Sequence, residues 1–115
     1  MALKKGKKSE VWIDLTVELL GDHNTVLLVP FSACFRLLPK KEFESVMEQA
    51  AAGEVTDHDI VNRYLLDWKM PGEGGDVEFN EENVNEAMEE YDYPEVLIRG
   101  FVDLHRQRKA LKTKN

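Results

Sequence analysis

Residue types that carry chemistry in other proteins occur in this sequence, but their spacing keeps them apart. Asp57, His58 and Asp59 are adjacent at the start of a predicted helix, where neighbouring side chains point in different directions and rarely converge on one metal ion. Helix capping and a solvated face explain these three residues better. The other histidines, His23 and His105, have no serine or cysteine partner that would complete a catalytic triad. The sequence therefore predicts no metal site and no activated nucleophile.

Two further patterns resemble fragments of catalytic or cofactor sites. Residues 72–75 are rich in glycine, but they contain no lysine and the carboxylates nearby would repel a phosphate, so a tight turn is the better interpretation. The pairs Glu81/Glu82 and Glu89/Glu90 have no histidine or arginine among them that would tune an acid and a base. We expect no catalytic residue and no cofactor. An enzyme or a metal-binding module is thus the weakest of three functional hypotheses.

The composition narrows the class of protein further. The chain has 115 residues, of which 43% are hydrophobic, enough for one domain with a small core. No apolar stretch approaches the roughly 18–20 residues of a membrane span, so no membrane partner is expected. A net charge of −7 opposes contact with the phosphate backbone of a nucleic acid. The single cysteine, Cys34, cannot form an internal disulfide and is interpreted as a small buried residue in a reducing cytoplasm.

The charges are sorted along the chain. From Glu73 to Glu95 there are ten acidic residues and no lysine or arginine. Residues 1–8 contain four lysines, and the segment after Glu95 has six basic residues against one acid. We expect residues 1–9 to form a basic flexible tail, residues 10–111 a single α+β domain, and residues 112–115 a frayed tail.

Alternating apolar residues predict a β-hairpin at the start of the domain. One side of its first strand consists of Val11, Ile13, Leu15, Val17 and Leu19. Residues 21–24 read as a turn and residues 25–29 as the returning strand. Pro30 is expected to interrupt this strand because proline cannot donate to the ladder. Alternation resumes in a third strand, at residues 32–37.

Apolar residues at three- and four-residue spacing predict about four helices after about three strands, an α+β fold. The second of these helices starts at Thr56 and carries Trp68 on its buried side. A loop at residues 71–76 leads to an acidic third helix at residues 80–91, and the fourth helix opens at Pro94.

The hairpin is the predicted surface for self-association or for binding another protein. Its apolar side is larger than a lone hairpin can hide, and Trp12 stands on the other side, where contact with a partner and burial in a second small core are equally good interpretations. The residues predicted to bind a partner are Trp12, Val11, Ile13, Leu15 and Val17. Trp68 and Phe79 are expected to be buried on either side of the acidic turn, and the third helix to supply solubility.

Residues 59–104 resemble the tail assembly chaperones of long-tailed bacteriophages and prophages. The shared pattern is a helix ending in a tryptophan, a Gly/Asp-rich turn, a short step to a phenylalanine, an acidic helix start and a Tyr-Pro-x-Val helix with a basic end. In this sequence the pattern is marked by Trp68, Gly72, Phe79 and Pro94. The N-terminal half has a similar layout, with a strand pair followed by a glutamate-rich helix.

This resemblance implies a protein without catalysis that works in the cytoplasm of the bacterial host. It would bind the tape measure protein of the phage and keep it soluble while the tail tube assembles around it. The tail tube protein and further copies of the same chain are the other partners that the resemblance implies. The alternative is a small structural or adaptor component of the tail that stays in the virion.

Overall fold

The computed structural model describes residues 9–114, and their side chains as far as Gln107. The predicted basic tail, apart from Ser9, lies outside the described residues. The strands are β1 (Glu10–Leu20), β2 (Val26–Arg36), β3 (Leu65–Gly72) and β4 (Gly75–Val77). The helices are α1 (Lys40–Ala51), α2 (Asp57–Tyr64), α3 (Glu81–Met88) and α4 (Asp92–Lys114). The strands form one antiparallel sheet in the order β1-β2-β3-β4. The predicted α+β fold is confirmed, with four strands in place of about three.

β2 runs without a break through Pro30, so the predicted interruption there was wrong. At the open end of the hairpin the N–H of Leu37 donates to the carbonyl of Ser9, at 2.6 Å. Hydrogen-bonded and non-hydrogen-bonded pairs alternate along an antiparallel ladder. Ser9 and Leu37 are a hydrogen-bonded pair, and Thr16, which faces Pro30, lies an odd number of residues from Ser9. The pair of Thr16 and Pro30 is therefore a non-hydrogen-bonded pair. The N–H that proline lacks would therefore point away from β1, so no bond between β1 and β2 is lost.

Trp68 lies on a strand, although the sequence predicts it on the second helix. α2 ends at Tyr64, and Leu65 already has an extended backbone with φ −81° and ψ 119°. The following residues pair with β2, where Trp68 faces Ala33. The predicted loop at residues 71–76 is instead the end of β3, a tight turn and the start of β4.

Local signals place the starts of α2 and α3 accurately, whereas α4 begins at Asp92, two residues before the predicted start at Pro94. The side chain of Thr56 accepts the N–H of Asp59 and the Asp59 carboxylate accepts the N–H of Thr56, which completes a capping box. The hydrogen bonds of the cap lower the pKa of Asp59. Asn80 caps α3 through the N–H of Asn83, at 2.8 Å. The helix ends differ from the predictions, since α3 stops before residues 89–91 and α4 continues past residue 112.

Phe101 of α4 lies at the centre of the core. Its ring centre is 5.5 Å from those of Phe35 and Tyr64, 5.9 Å from that of Phe43 and 4.6 Å from that of His105. The core joins the odd-numbered side of β1 to residues from all four helices. All helices thus cover the same face of the sheet, and the opposite face is called the outer face below. In residues 9–114, no helix combines the length and the apolar character that crossing a membrane requires.

Candidate interaction surface

The hairpin carries an exposed apolar cluster at its turn, made up of Leu20, Val26, Leu27 and Leu28 and called the hairpin end below. Each of these side chains is between 53% and 76% exposed. The register explains the exposure, because β3 pairs with β2 only from Ser32 onward, leaving residues 26–31 without a neighbour on that edge among the described strands. The hairpin end therefore extends beyond the part of the sheet that the helices cover.

The residues predicted to bind a partner are divided between the two faces of the sheet. Val17 is fully buried, and Val11, Ile13 and Leu15 are half-buried on the side that packs against the core. Trp12 lies on the outer face, 43% exposed, with the Lys69 Nζ 5.1 Å from its ring centre. The structure thus places the four aliphatic residues on the side that faces the helices, with Ile13 and Leu15 next to Gly100 of α4, and keeps Trp12 apart from them on the outer face. Their binding role stays a prediction.

Sequence reasoning missed the hairpin end, although a signal for it was present. Residues 26–29 are four consecutive apolar residues, and Leu19 and Leu20 are two more on the facing strand. In a strand such a run places apolar side chains on both faces. On one face Leu19 and Val29 pack against the core while Leu27 stays 53% exposed, and the other face has no helix to cover it. Consecutive apolar residues next to a turn were the available clue.

The outer face of β1 is acidic. Glu10, Asp14 and Glu18 occupy every second position of this face, alternating with Trp12 and Thr16, and Asp14 accepts a hydrogen bond from the Ser32 hydroxyl at 2.9 Å. The carboxylates of these three residues form no ion pair with a described residue. Arg36 lies opposite Glu10 on β2 and Lys69 lies against Trp12, so the uncompensated negative charge of this face is centred on Asp14 and Glu18.

Cys34 is buried, as predicted, and has no feature of a reactive thiol. It is 1% exposed on β2, where it faces Trp12 on one side and Asp67 on the other. Burial raises the pKa of its thiol, and the negative charges of Glu10 and Asp67 raise it further. A thiol held in its protonated form is a poor nucleophile and a poor metal ligand.

Three of the four residues that mark the family resemblance pack into one unit. Trp68 is 4% exposed, its indole N–H donates to the carbonyl of Val77 at 2.9 Å, and its ring meets that of Phe79 edge to face at 5.4 Å. A Cβ on Gly72 would lie 2.8 Å from the Val77 side chain and 2.9 Å from the carbonyl of Gly75, so the turn has no room for a larger residue. The predicted burial is confirmed for Trp68, while Phe79 is half-buried.

Pro94 belongs to a different region, an open groove of about 590 Å³ along the start of α4. Residues of the groove include Asp57, Tyr91, Ile98, Val102 and Arg106. Tyr91 is 98% exposed, and the ion pair between Arg99 and Glu95 at 2.7 Å is also exposed. Both signs of charge border the groove, so its electrostatics favour no particular ligand.

Two of the three histidines have structural partners, and His23 is exposed in the hairpin turn. His58 bonds the side-chain oxygen of Asn85 at 2.8 Å. Buried His105 accepts the N–H of Leu38 through Nε2 at 3.0 Å, which leaves Nδ1 to donate to the carbonyl of Phe101 at 2.9 Å. Within residues 9–114, no three His, Cys, Asp or Glu side chains are grouped so that they could hold a metal ion. The five glutamates of the acidic third helix and its C-terminal end are exposed, as predicted.

Comparison of the chain with protein-family models, with curated proteins and with solved structures gives no match. The surfaces described above are the hairpin end, the acidic outer face of β1 and the groove along α4. Of the three, the hairpin end has the largest exposed aliphatic side chains. Exposed apolar clusters on a folded domain are characteristic of sites that bind other proteins.

Proposed function

We propose that this protein is a phage tail assembly chaperone, which binds the tape measure protein without catalysis and keeps it soluble while the tail tube assembles. The observation that carries the proposal is an exposed apolar hairpin end on a domain with a net charge of −7. The apolar side chains give a client something to bind, and the charge keeps the chaperone itself in solution. It would act in the cytoplasm of the bacterial host, where the tail tube protein is also made.

The packing around Trp68 supports the same proposal. Trp68, Gly72 and Phe79 carry the resemblance to the tail assembly chaperones, and these residues meet in one folded unit, in which Trp68 lies on β3 and not at the end of a helix as in the family pattern. The resemblance therefore covers a part of the molecule with its own packing rather than isolated surface positions.

The size of the hairpin end suits a chaperone that must release its client. Burying one aliphatic side chain of this size stabilises a contact by about 1.5–3 kcal/mol when it starts fully exposed. The four side chains of the hairpin end are between 53% and 76% exposed, so each can supply only part of this stabilisation. Association costs at least ~4 kcal/mol in lost freedom of motion. What remains is a few kcal/mol at most, so the hairpin end alone gives weak, reversible binding.

Co-expression with the tape measure protein of the same phage tests the proposal. Replacing Leu20 and Leu28 together by asparagine should weaken client binding by about tenfold or more, because both aliphatic contacts are lost. Trp12→Asp is expected to act in the same direction. The measurement is the soluble fraction of the tape measure protein after centrifugation, with circular dichroism of each variant to show that the fold is intact.

The matched control changes charge on the acidic helix. The double variant Glu86→Lys and Glu89→Lys should have little effect at physiological salt, where exposed charges are largely screened beyond ~8 Å. If this control abolishes solubilisation and the leucine variant has no effect, the working surface lies on the other half of the molecule. Stoichiometric amounts of the protein in purified virions would instead favour the structural or adaptor component.

A further inference from the structure

The outer edge of β1 is an open hydrogen-bonding edge. β1 is the terminal strand of the sheet, and no described strand pairs with its second side. Two bonds at the ends of the hairpin, from Leu37 to Ser9 and from Gly21 to Thr25, show that odd-numbered residues of β1 bond to β2. Because the pairs alternate, the even-numbered residues direct their N–H and C=O groups away from β2. An incoming strand would bond to these even-numbered residues.

This edge lacks most of the features that normally prevent strands from pairing. Natural edge strands are blunted by charged side chains, lysine above all, by proline, by bulges or by shortness. The charged residues of β1 are three carboxylates, which repel another acidic strand and attract a basic one. β1 contains neither proline nor lysine, and its register with β2 is unbroken over 11 residues. The edge is therefore long, regular and suitable for an added strand.

The side chains along the edge specify the charge of the partner. Glu10, Asp14 and Glu18 are even-numbered, so the same residues that offer free backbone groups carry carboxylates on the outer face. The residue directly opposite in an added strand lies within reach of each side chain, and opposite charges there stabilise the pair. A strand with a basic residue at every fourth position matches all three carboxylates.

We propose that the outer edge of β1 binds an extended, basic segment of a partner protein as an additional antiparallel strand. Lysine or arginine of that segment lies opposite Glu10, Asp14 and Glu18, and its apolar residues lie opposite the odd-numbered residues of β1. The recognition combines main-chain hydrogen bonds with the charge pattern of the outer face. It is independent of the proposed chaperone function, because it concerns the edge and not the hairpin end.

Charge argues against a second copy of this chain as the occupant. Two copies paired around a two-fold axis at Leu15 would share one outer face, with Asp14 of each beside Thr16 of the other. Glu10, Asp14 and Glu18 from both strands would then line one strip, with like charges at diagonal distances of about 7–8 Å. A basic strand removes this repulsion.

Binding of a designed peptide to the full-length protein tests the proposal. The probe is Thr-Lys-Val-Thr-Val-Lys-Val-Thr-Val-Lys-Thr, which places its three lysines opposite the three carboxylates. The first control has glutamate for lysine, and the second is a helical peptide with three lysines. Affinity is measured by fluorescence anisotropy, and amide hydrogen exchange is followed residue by residue.

The expected result has a pattern that few other binding modes produce. The amides of Trp12, Asp14, Thr16 and Glu18 should exchange at least about tenfold more slowly with the lysine peptide, because each gains a strand partner. The amides of their odd-numbered neighbours should change little, since they already bond to β2. Both control peptides should bind at least about tenfold more weakly.

Other patterns overturn the proposal. Equal binding of the three peptides, or protection confined to other elements, would mean that β1 is not the site. Slow exchange of the four amides without peptide, at twice the monomer mass, would make a second copy the occupant. Slow exchange of the four amides without peptide, at the mass of the monomer, would mean that another part of this chain occupies the edge.

Matched variants separate backbone pairing from charge. Thr16→Pro removes one outward N–H and no bond to β2, as Pro30 does on the facing strand, so it should abolish binding; Thr16→Val keeps the N–H and should bind normally. Glu18→Lys should weaken binding by about tenfold at low salt, and Glu44→Lys on α1, with the same change in net charge, by less than about twofold. If Thr16→Pro does not fold, the comparison of Glu18→Lys with Glu44→Lys decides the test. Equal losses in Glu18→Lys and Glu44→Lys would overturn the charge pattern.

Discussion

At Trp68 one side chain connects three parts of the molecule. Its side chain is buried on the face of the sheet that the helices cover, with 4% exposure. Its ring contacts that of Phe79 edge to face, and its indole N–H donates a hydrogen bond to the carbonyl of Val77 at 2.9 Å. β3, β4 and the segment before α3 are thereby held together. The burial of Trp68 could be predicted from the apolar pattern that it ends. Its hydrogen bond could not, because the partner lies across a turn that the sequence suggested was a loop.

Trp68→Phe should separate the packing of this residue from its hydrogen bond. The substitution keeps most of the apolar volume but leaves the carbonyl of Val77 without its donor, so the free energy of unfolding should fall by about 1–3 kcal/mol. Trp68→Ala also loses the packing and should cost about 3–5 kcal/mol. Urea denaturation followed by far-ultraviolet circular dichroism gives both values. If Trp68→Phe is as stable as the wild type, the hydrogen bond contributes nothing measurable.

Among the elements, those with local signals were predicted best. The alternation of β1 is visible in the sequence, and the caps at Thr56 and Asn80 are set by residues three positions away. β3 was missed because Leu65 follows α2 without a turn residue, and only its pairing with the open edge of β2 makes the segment extended. Pro30 was misread for a similar reason, since the effect of a proline depends on which side of the strand its nitrogen faces.

Gly100 determines how closely α4 approaches β1. A Cβ at this position would lie 2.9 Å from Leu15 Cδ2 and 3.1 Å from Ile13 Cδ1. Gly100→Ala should change the free energy of unfolding by less than about 1 kcal/mol, because the ends of these side chains can shift and alanine favours the helix by about as much. Gly100→Leu should destabilise by about 1–3 kcal/mol through overpacking. If the wild type and Gly100→Leu have equal midpoints of urea denaturation, α4 and β1 can move apart without loss of stability.

For the whole molecule, the sequence showed where the charge lies better than where the apolar surface is exposed. The acidic segment from Glu73 to Glu95 follows directly from the order of the residues. Which apolar residues stay exposed depends instead on how far β3 extends along β2, and β3 stops short of the hairpin end. Sequence reasoning therefore selected the hairpin that carries the exposed apolar cluster, but within it named mainly the side that packs against the helices.

The balance between net charge and the hairpin end should control the solubility of this protein. At pH 7 the net charge of −7 keeps molecules apart, whereas at the isoelectric point near 5.0 that repulsion vanishes and exposed apolar clusters can associate. We expect light scattering to pass through a maximum near pH 5. The double variant Leu20→Asn and Leu28→Asn leaves the charge unchanged and should remove most of that maximum. Leu66→Asn, which changes an exposed leucine on β3, is the control and should leave it in place. If the double variant scatters as strongly as the wild type, the molecules associate through another surface.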